Sequence, residues 1–340
     1  MTACRNDVRL NNITNDETQN VASLPRSNTR CFANLYCEST FPNFPMTRLL
    51  LLLSLLLLTT APPAPAAADD KPAYRLFTAT GKPARYAQML KQLAAADVVF
   101  FGEQHNDPIG HWLELQLAQD LARARQGQFV LGLEMFERDV QPLVDQYATG
   151  ELSDTAFVRQ ARPWPNYATD YQPLLRLARQ QKFRVVGTNV PRRYAAQVAR
   201  GGLPVLDALP PADKAFLVPL PLTVDYELPG YKNMAKMFGS DAAHGAGVQR
   251  IIQAQALKDA TMAHFLNQAR PAGHLLLHLN GAYHSDNHDG ILAYLRQYNP
   301  QLKVLTISTV LQDQLGQLDK DHHQKADFVL VVPQDMTKTY

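Results

Sequence analysis

Residues 98–108 read Val98-Val99-Phe100-Phe101-Gly102-Glu103-Gln104-His105-Asn106-Asp107-Pro108. Four β-formers run into a glycine, a carboxylate and an imidazole, and a helix start follows at once. The strand period of two puts Glu103 and His105 on the same side. Asp107 reads as an N-cap and Pro108 as the first helical residue. A carboxylate and a histidine therefore fall at the carboxyl end of a strand, beside the positive end of a helix. Open α/β sheets keep their ligands in that place.

Outward from this stretch, short apolar runs alternate with longer helical patterns. Strands are expected at 98–103, 129–136, 183–190, 274–281, 303–310 and 327–332. Helices are expected at 109–125, 140–147, 171–181, 192–200, 248–269 and 291–298. Strand then helix, repeated, implies an α/β fold with a largely parallel central sheet flanked by helices. The runs are too apolar on both faces for a sheet with one wet side. Residues 201–247, with Pro204, Pro210, Pro211, Pro219 and Pro221, break the rhythm. They read as an irregular, partly helical insertion that can serve as a lid or a dimer arm.

The beginning of the chain has a different character. Residues 1–45 are polar and lack periodicity, as an upstream extension outside the native protein would. From Met46 come Arg48, a leucine run at 49–58 broken only by Ser54, and then Ala66-Ala67-Ala68 before Asp69. A basic start, a short apolar stretch and small residues at the end describe a secretory signal peptide over 46–68. A membrane span needs about 20 apolar residues, more than this run holds. The expected mature protein is one α/β domain at 69–340, exported and periplasmic. All three cysteines precede Asp69, so no lipid-bearing cysteine stands at the new N-terminus and no thiolate is available for a disulfide or a metal. All ten histidines lie in the mature part. Of the 33 basic and 31 acidic residues, five and four precede Asp69, so the rest is almost neutral. That balance argues against a nucleic-acid partner.

Candidate chemistry gathers at strand ends. Glu103 and His105 end the first strand, Glu134 the second, Asn189 the third, and His284 follows the fourth. Gly102-Glu103-Gln104-His105 and Gly281-Ala282-Tyr283-His284 repeat one pattern, Gly-x-x-His, in which glycine permits a sharp turn. Two imidazoles and two carboxylates suit a divalent metal such as zinc, manganese or cobalt. The same residues without metal suit acid, base and water-positioning roles. On the 248–269 helix, Val248, Ile252, Gln255, Asp259, Met262 and Leu266 share one stripe, so Asp259 faces inward and needs a partner. Asn189 and Asp259 are expected to back the site. His274 and His278 read as core residues, His322-His323 as surface, and His284, Asp286 and His288 as a loose cluster.

Gly-Glu-x-His-x-x-Pro at a strand end, Glu134, and a late Asn-Gly-x-x-His resemble the ChaN-like haem-binding uptake proteins. These are grouped with the Tiki, TraB and erythromycin-esterase proteins. The resemblance runs from about Tyr74 to Pro333, with supporting stretches at 164–173, 189–192 and 255–263. It implies an exported α/β protein serving haem or iron uptake, with haem as partner. A homodimer and membrane-associated uptake machinery complete the expected partners. Tiki-like relatives imply metal-dependent hydrolysis as the alternative, with His105, Glu134 and His284 as metal ligands and Glu103 beside them. ChaN-like members are often lipoproteins, whereas no lipid-bearing cysteine follows the leucine run here. They use tyrosine-type haem binding. Without cysteine, iron must be held by Tyr, His or Met. In the insertion, Tyr231, Met234, Met237 and Phe238 offer apolar surface at helical spacing, with Tyr231 as the expected axial ligand and Lys232 or His244 for a propionate.

Overall fold

Alternate residues of the first strand leave the sheet in opposite directions. Val99 and Phe101 enter one hydrophobic layer, Val98 and Phe100 the other. This is what a run apolar on both faces requires. A computed structural model describes residues 71–238 and 245–340. The expected upstream extension, the signal peptide and His244 lie outside the described residues.

The chain opens with β1 (Arg75–Thr78), α1 (Tyr86–Leu93), β2 (Val98–Glu103) and α2 (Pro108–Ala124). It continues with β3 (Phe129–Glu137), α3 (Gln141–Thr149), α4 (Asp154–Ala161), α5 (Gln172–Gln181), β4 (Arg184–Asn189) and α6 (Arg192–Gly201). Next come α7 (Pro211–Lys214), α8 (Pro229–Met237) and α9 (Ala246–Ala269). The last elements are β5 (Leu275–Gly281), α10 (Ile291–Tyr298), β6 (Val304–Gln312) and β7 (Phe328–Pro333). The seven strands lie in the order β1-β7-β6-β2-β5-β3-β4. All neighbours are parallel except β1 with β7.

Helices α1 to α5 contribute to the layer that holds Val99 and Phe101, through residues such as Met89, Leu117, Val144, Phe157 and Leu174. Helices α6, α8, α9 and α10 contribute to the opposite layer, through Tyr194, Tyr231, Ile252 and Leu295. Each of the six expected strands and six expected helices is present, with ends shifted by a residue or two. Asp107 caps α2 as its sequence implies, with Oδ1 accepting from the N–H groups of Ile109 and Gly110 at 3.1 and 2.9 Å. Among the described residues, no helix is long and apolar enough to cross a membrane.

Several elements escape the periodicity argument because they are short or at an edge. β1 has four residues and pairs only with β7. α4 begins at the Ser153 cap, whose Oγ accepts from the Ala156 N–H at 3.3 Å. One π turn, Tyr167–Tyr171, leads directly into α5. In the described part of the insertion, Leu206, Leu217, Val218 and Tyr231 are buried in the α9 layer. That part is therefore a packed element of the domain, unlike a loose arm. His274 precedes β5 and is half-buried, contrary to its expected place in the core, whereas His278 is fully buried.

Candidate functional site

Strand β5 lies between β2 and β3, so the carboxyl ends of three adjacent strands meet. The β2–β5 register sets Glu103 opposite Gly281. After β2 the chain enters α2, packed on one side of the sheet; α10, the next α-helix after β5, packs on the other. Such a divergence opens a crevice at the strand ends. Glu103, His105, Glu134 and His284 all stand at it.

Glu103 is buried and its Oε1 accepts two hydrogen bonds of 2.7 Å, from His105 Nδ1 and the Tyr171 hydroxyl. The His105 ring meets the Trp164 indole edge-on, with centroids 4.8 Å apart. Its side chain keeps 37% exposure, so the imidazole is braced at Nδ1 and presented to the crevice. Burial opposes protonation of His105, but the Glu103 contact prevails and raises its pKa. Both motif glycines answer a need for space, correcting the expected sharp turn. Gly281 has φ −54° and ψ 134°, ordinary extended values. A Cβ there would come within 2.7 Å of His105 Nε2, and one at Gly102 within 2.8 Å of the Ala282 backbone.

The other half is a chain of buried polar groups. Glu134 Oε2 accepts the Gly281 N–H at 2.8 Å, and Oε1 lies 3.3 Å from His284 Nε2. The second ring nitrogen of His284 bonds Asp259, whose other oxygen accepts the Tyr231 hydroxyl at 2.8 Å. Burial alone would lower the His284 pKa, yet Glu134 and then Asp259 outweigh it and push it up to about 10. His284 is thus an imidazolium at neutral pH. Burial disfavours the Glu134 carboxylate, but His284 and His105 hold it well below the usual carboxylate range.

Beneath the Glu103–His105 pair lies a second buried cluster. His111 Nδ1 is 3.0 Å from Glu114 Oε2 and 3.8 Å from Glu103 Oε2. The carbonyl of His105 is held by His111 Nε2 at 3.1 Å and by Asn166 Nδ2 at 2.9 Å. Burial above all pushes Glu103 up to about 8, with the Glu114 carboxylate adding to it. Burial likewise pushes Glu114 up to about 8, against its contact with Glu103. The pair therefore holds a proton at neutral pH. Glu103 Oε2 and Glu114 Oε1 are both buried without a hydrogen-bond partner.

Sequence reasoning missed Tyr171, Trp164, Asn166 and Glu114 as parts of this site; His111, one turn into its helix and expected either to face the crevice or to pack under it, packs under it. The first three lie within residues 164–173, a stretch that supports the family resemblance without revealing its contacts.

A groove of about 630 Å³ runs from His105, Glu134 and His284 between α6 and α9. A second hollow of about 490 Å³ on the α8 side shares His105, Gln255 and His284 with it. Asn189 lines the first groove, with a buried Oδ1 lacking a partner, so it stands at the site's edge. Asp259 faces inward as its helical position implies.

Three expectations are corrected by the geometry. Tyr231 is 2% exposed and its hydroxyl is committed to Asp259, so it braces His284 where an axial ligand was expected. Lys232 pairs with Glu227, away from the crevice floor. His105, Glu134 and His284 do not converge as a metal site. Among the described residues, the donors that gather within 4.8 Å belong to Glu103, His111 and Glu114. The loose cluster also separates: Asp286 pairs with Ser308 and Lys325, and His288 with Asp327.

The sequence matches the family described as haem-binding uptake, Tiki superfamily, ChaN, over residues 89–295, more than half the chain. No curated protein matches it. A structure of ChaN from Campylobacter jejuni, described as showing cofacial haem binding, superposes with a TM-score of 0.57 at 17% identity. The match covers 76% of this chain and 96% of that one. Looser likenesses include the type III effector HopBA1, at TM-score 0.40 and 13% identity over 75% of this chain and 98% of that one. An erythromycin esterase, EreC, gives TM-score 0.39 and 11% identity over 76% of this chain and 83% of that one. With its seven-stranded, mostly parallel sheet and the paired Gly-x-x-His at adjoining strand ends, the chain belongs to the ChaN family of haem-binding uptake proteins in the Tiki superfamily.

Proposed function

We propose that this is an exported haem-binding protein serving haem or iron uptake, with the α6–α9 groove as its haem site. The observation that carries the reading is His105. Its Nδ1 is bonded to Glu103 while the imidazole faces a groove of about 630 Å³. A carboxylate behind a histidine orients the ring and strengthens it as a ligand. The groove also meets the other needs of haem. Trp164, Val190, Ala195, Ala199, Ile251 and Ala254 give apolar walls, and Arg192 and Lys258 give cations. The membership of the family supports the same reading, as does the sequence pattern of a signal peptide at 46–68. A homodimer and membrane-associated uptake machinery fit this role as partners.

The test is titration of the purified protein with haemin. A shifted and sharpened Soret band is expected, with His105→Ala abolishing the shift and Tyr231→Phe preserving it. A wild-type protein that leaves the haemin spectrum unchanged refutes the reading. Loss of the band in Tyr231→Phe alone would return the axial role to that tyrosine.

A second reading is favoured by one feature, the opposition of a braced His105 to a His284 whose charged form is favoured by Glu134 and Asp259. In hydrolysis without metal, His105 would take a proton from water and His284 would stabilise the developing negative charge. Turnover of ester or peptide substrates, lost in both His105→Ala and His284→Gln, would establish it.

A further inference from the structure

We propose that Glu103, His111 and Glu114 form a buried binding site for one divalent transition-metal ion, set beneath the crevice and independent of what the groove binds. The ion is structural: it ties the end of β2 to the first turns of α2 and so fixes the carboxylate that braces His105.

His111 and Glu114 stand three residues apart on α2 and so share one face. That face meets Glu103 at the end of β2, and all three side chains are buried. The His111 ring is oriented from behind. Its Nε2 lies 3.1 Å from the His105 carbonyl and 3.4 Å from Asp170 Oδ2, both acceptors. The ring proton of a neutral His111 therefore stands at Nε2. Nδ1 then turns its lone pair toward Glu114 Oε2 at 3.0 Å and Glu103 Oε2 at 3.8 Å. A backbone carbonyl behind the imidazole is a common way to hold a metal-binding histidine.

Three accepting groups thus face one another, and two of their oxygens, Glu103 Oε2 and Glu114 Oε1, have no hydrogen-bond partner. Buried oxygens in that condition are exceptional and call for a ligand. One proton serves a single pair of these atoms and leaves the others orphaned. A divalent ion satisfies all three side chains at once and cancels both carboxylate charges, which removes the cost of burying them. The donor atoms lie within 4.8 Å of one another. Ligands about 2.0–2.2 Å from one ion stand roughly 3–3.5 Å apart, so small side-chain adjustments close the site. One imidazole with two carboxylates favours zinc, manganese or cobalt over magnesium and calcium, which take oxygen donors. In protein without metal the proton of the Glu103–Glu114 pair takes this place, and the ion displaces it.

The experiment takes purified protein, stripped of metal by a chelator and free of haemin, and equilibrates it with zinc or cobalt. Wild type should retain about one equivalent through gel filtration and show cobalt absorption bands in the visible. With zinc at about a hundredfold excess over its dissociation constant, it should melt roughly 5–10 °C higher. Glu114→Gln, which keeps the side-chain volume, and His111→Ala should each weaken retention about tenfold or more, while His284→Gln keeps it. Nitrogen NMR of the wild-type imidazoles adds a readout that no folding defect in a variant can mimic: zinc should shift the His111 Nδ1 resonance. Wild-type protein that retains neither zinc nor cobalt overturns the site. Retention unchanged in Glu114→Gln and His111→Ala does the same, as does a His111 Nδ1 resonance unmoved by bound zinc. Retention lost in folded His284→Gln would put the ion in the crevice and overturn the assignment. Haemin titration of the same preparation bears on the groove alone, so the two readings fail separately.

Discussion

Replacing Asp259 by Asn tests the chain that holds His284. The side chain is 1% exposed and its two oxygens serve His284 and Tyr231. Asparagine keeps the shape and can still accept from Tyr231, so the change is chiefly one of charge. The imidazole pKa rises from 6.5 to about 10 in the fold. At about 1.4 kcal/mol per unit, that rise is roughly 5 kcal/mol, divided between Glu134 and Asp259 after the burial cost. Losing Asp259 should therefore destabilise the protein by about 2–3 kcal/mol, within the range for breaking one side of a buried pair. For a domain of this size the melting temperature should fall by roughly 5–10 °C.

The pH dependence carries the decisive sign. A raised histidine pKa gives stability that is fully present below the unfolded value near 6.5 and disappears as pH rises through about 10. The gap between wild type and Asp259→Asn in urea denaturation should thus be widest near pH 6 and narrow toward pH 10. NMR of the His284 ring should show its pKa reduced in the variant. A gap independent of pH, or a loss under about 1 kcal/mol with the His284 titration unmoved, would refute the reasoning.

Gly281→Ala would place a methyl carbon 2.7 Å from His105 Nε2 while Glu134 holds the backbone N–H. A loss of about 1–3 kcal/mol in chemical denaturation and a weakened haemin spectrum are expected, since overpacking displaces the ring. In Glu114→Gln, the buried proton of the Glu103–Glu114 pair loses one carboxyl. Carboxyls raised to about 8 in the fold give stability present below their unfolded values near 4.5 and lost as pH rises through about 8. The variant should flatten that decline between pH 5 and 8, measured by melting at each pH; an undiminished slope would disprove a shared proton.

How much of this was legible in the chain follows from how far each contact reaches. The β2 stretch announces its own end: the period of two pairs Glu103 with His105, and Asp107 caps the helix that follows. Asp259 betrays itself by sitting among apolar residues at helical spacing, which states that it is buried and partnered. Neither pattern says with whom. Tyr171 reaches Glu103 across 68 positions and Glu134 reaches Gly281 across 147, and no local pattern encodes such pairings. Tyr231 shows the cost. Its helical neighbours made it look like an open apolar platform, and only the fold reveals that its hydroxyl is spent on Asp259. The motif glycines misled in the opposite way. A turn was the local explanation, whereas the reason is the close approach of another segment, the His105 imidazole at Gly281 and the Ala282 backbone at Gly102. Lys258 had no signal at all, because a lysine on a long helix looks solvated until the groove beside it is known.

The insertion of β5 between β2 and β3 has a consequence for when the molecule becomes competent. His105 and Glu134 belong to strands made early, yet they are neighbours only through a strand that arrives more than 130 residues after β3 begins. Until Leu275–Gly281 slots between them, the two halves have no common floor, and Glu134 has no backbone N–H to grip. Contacts of such long sequence separation close late, because loop entropy must be overcome before they give any return. The ligand site therefore cannot form before β5 has paired with both of its neighbours. A partly folded chain displays neither half in working form, so ligand capture would double as a check that the whole domain has formed.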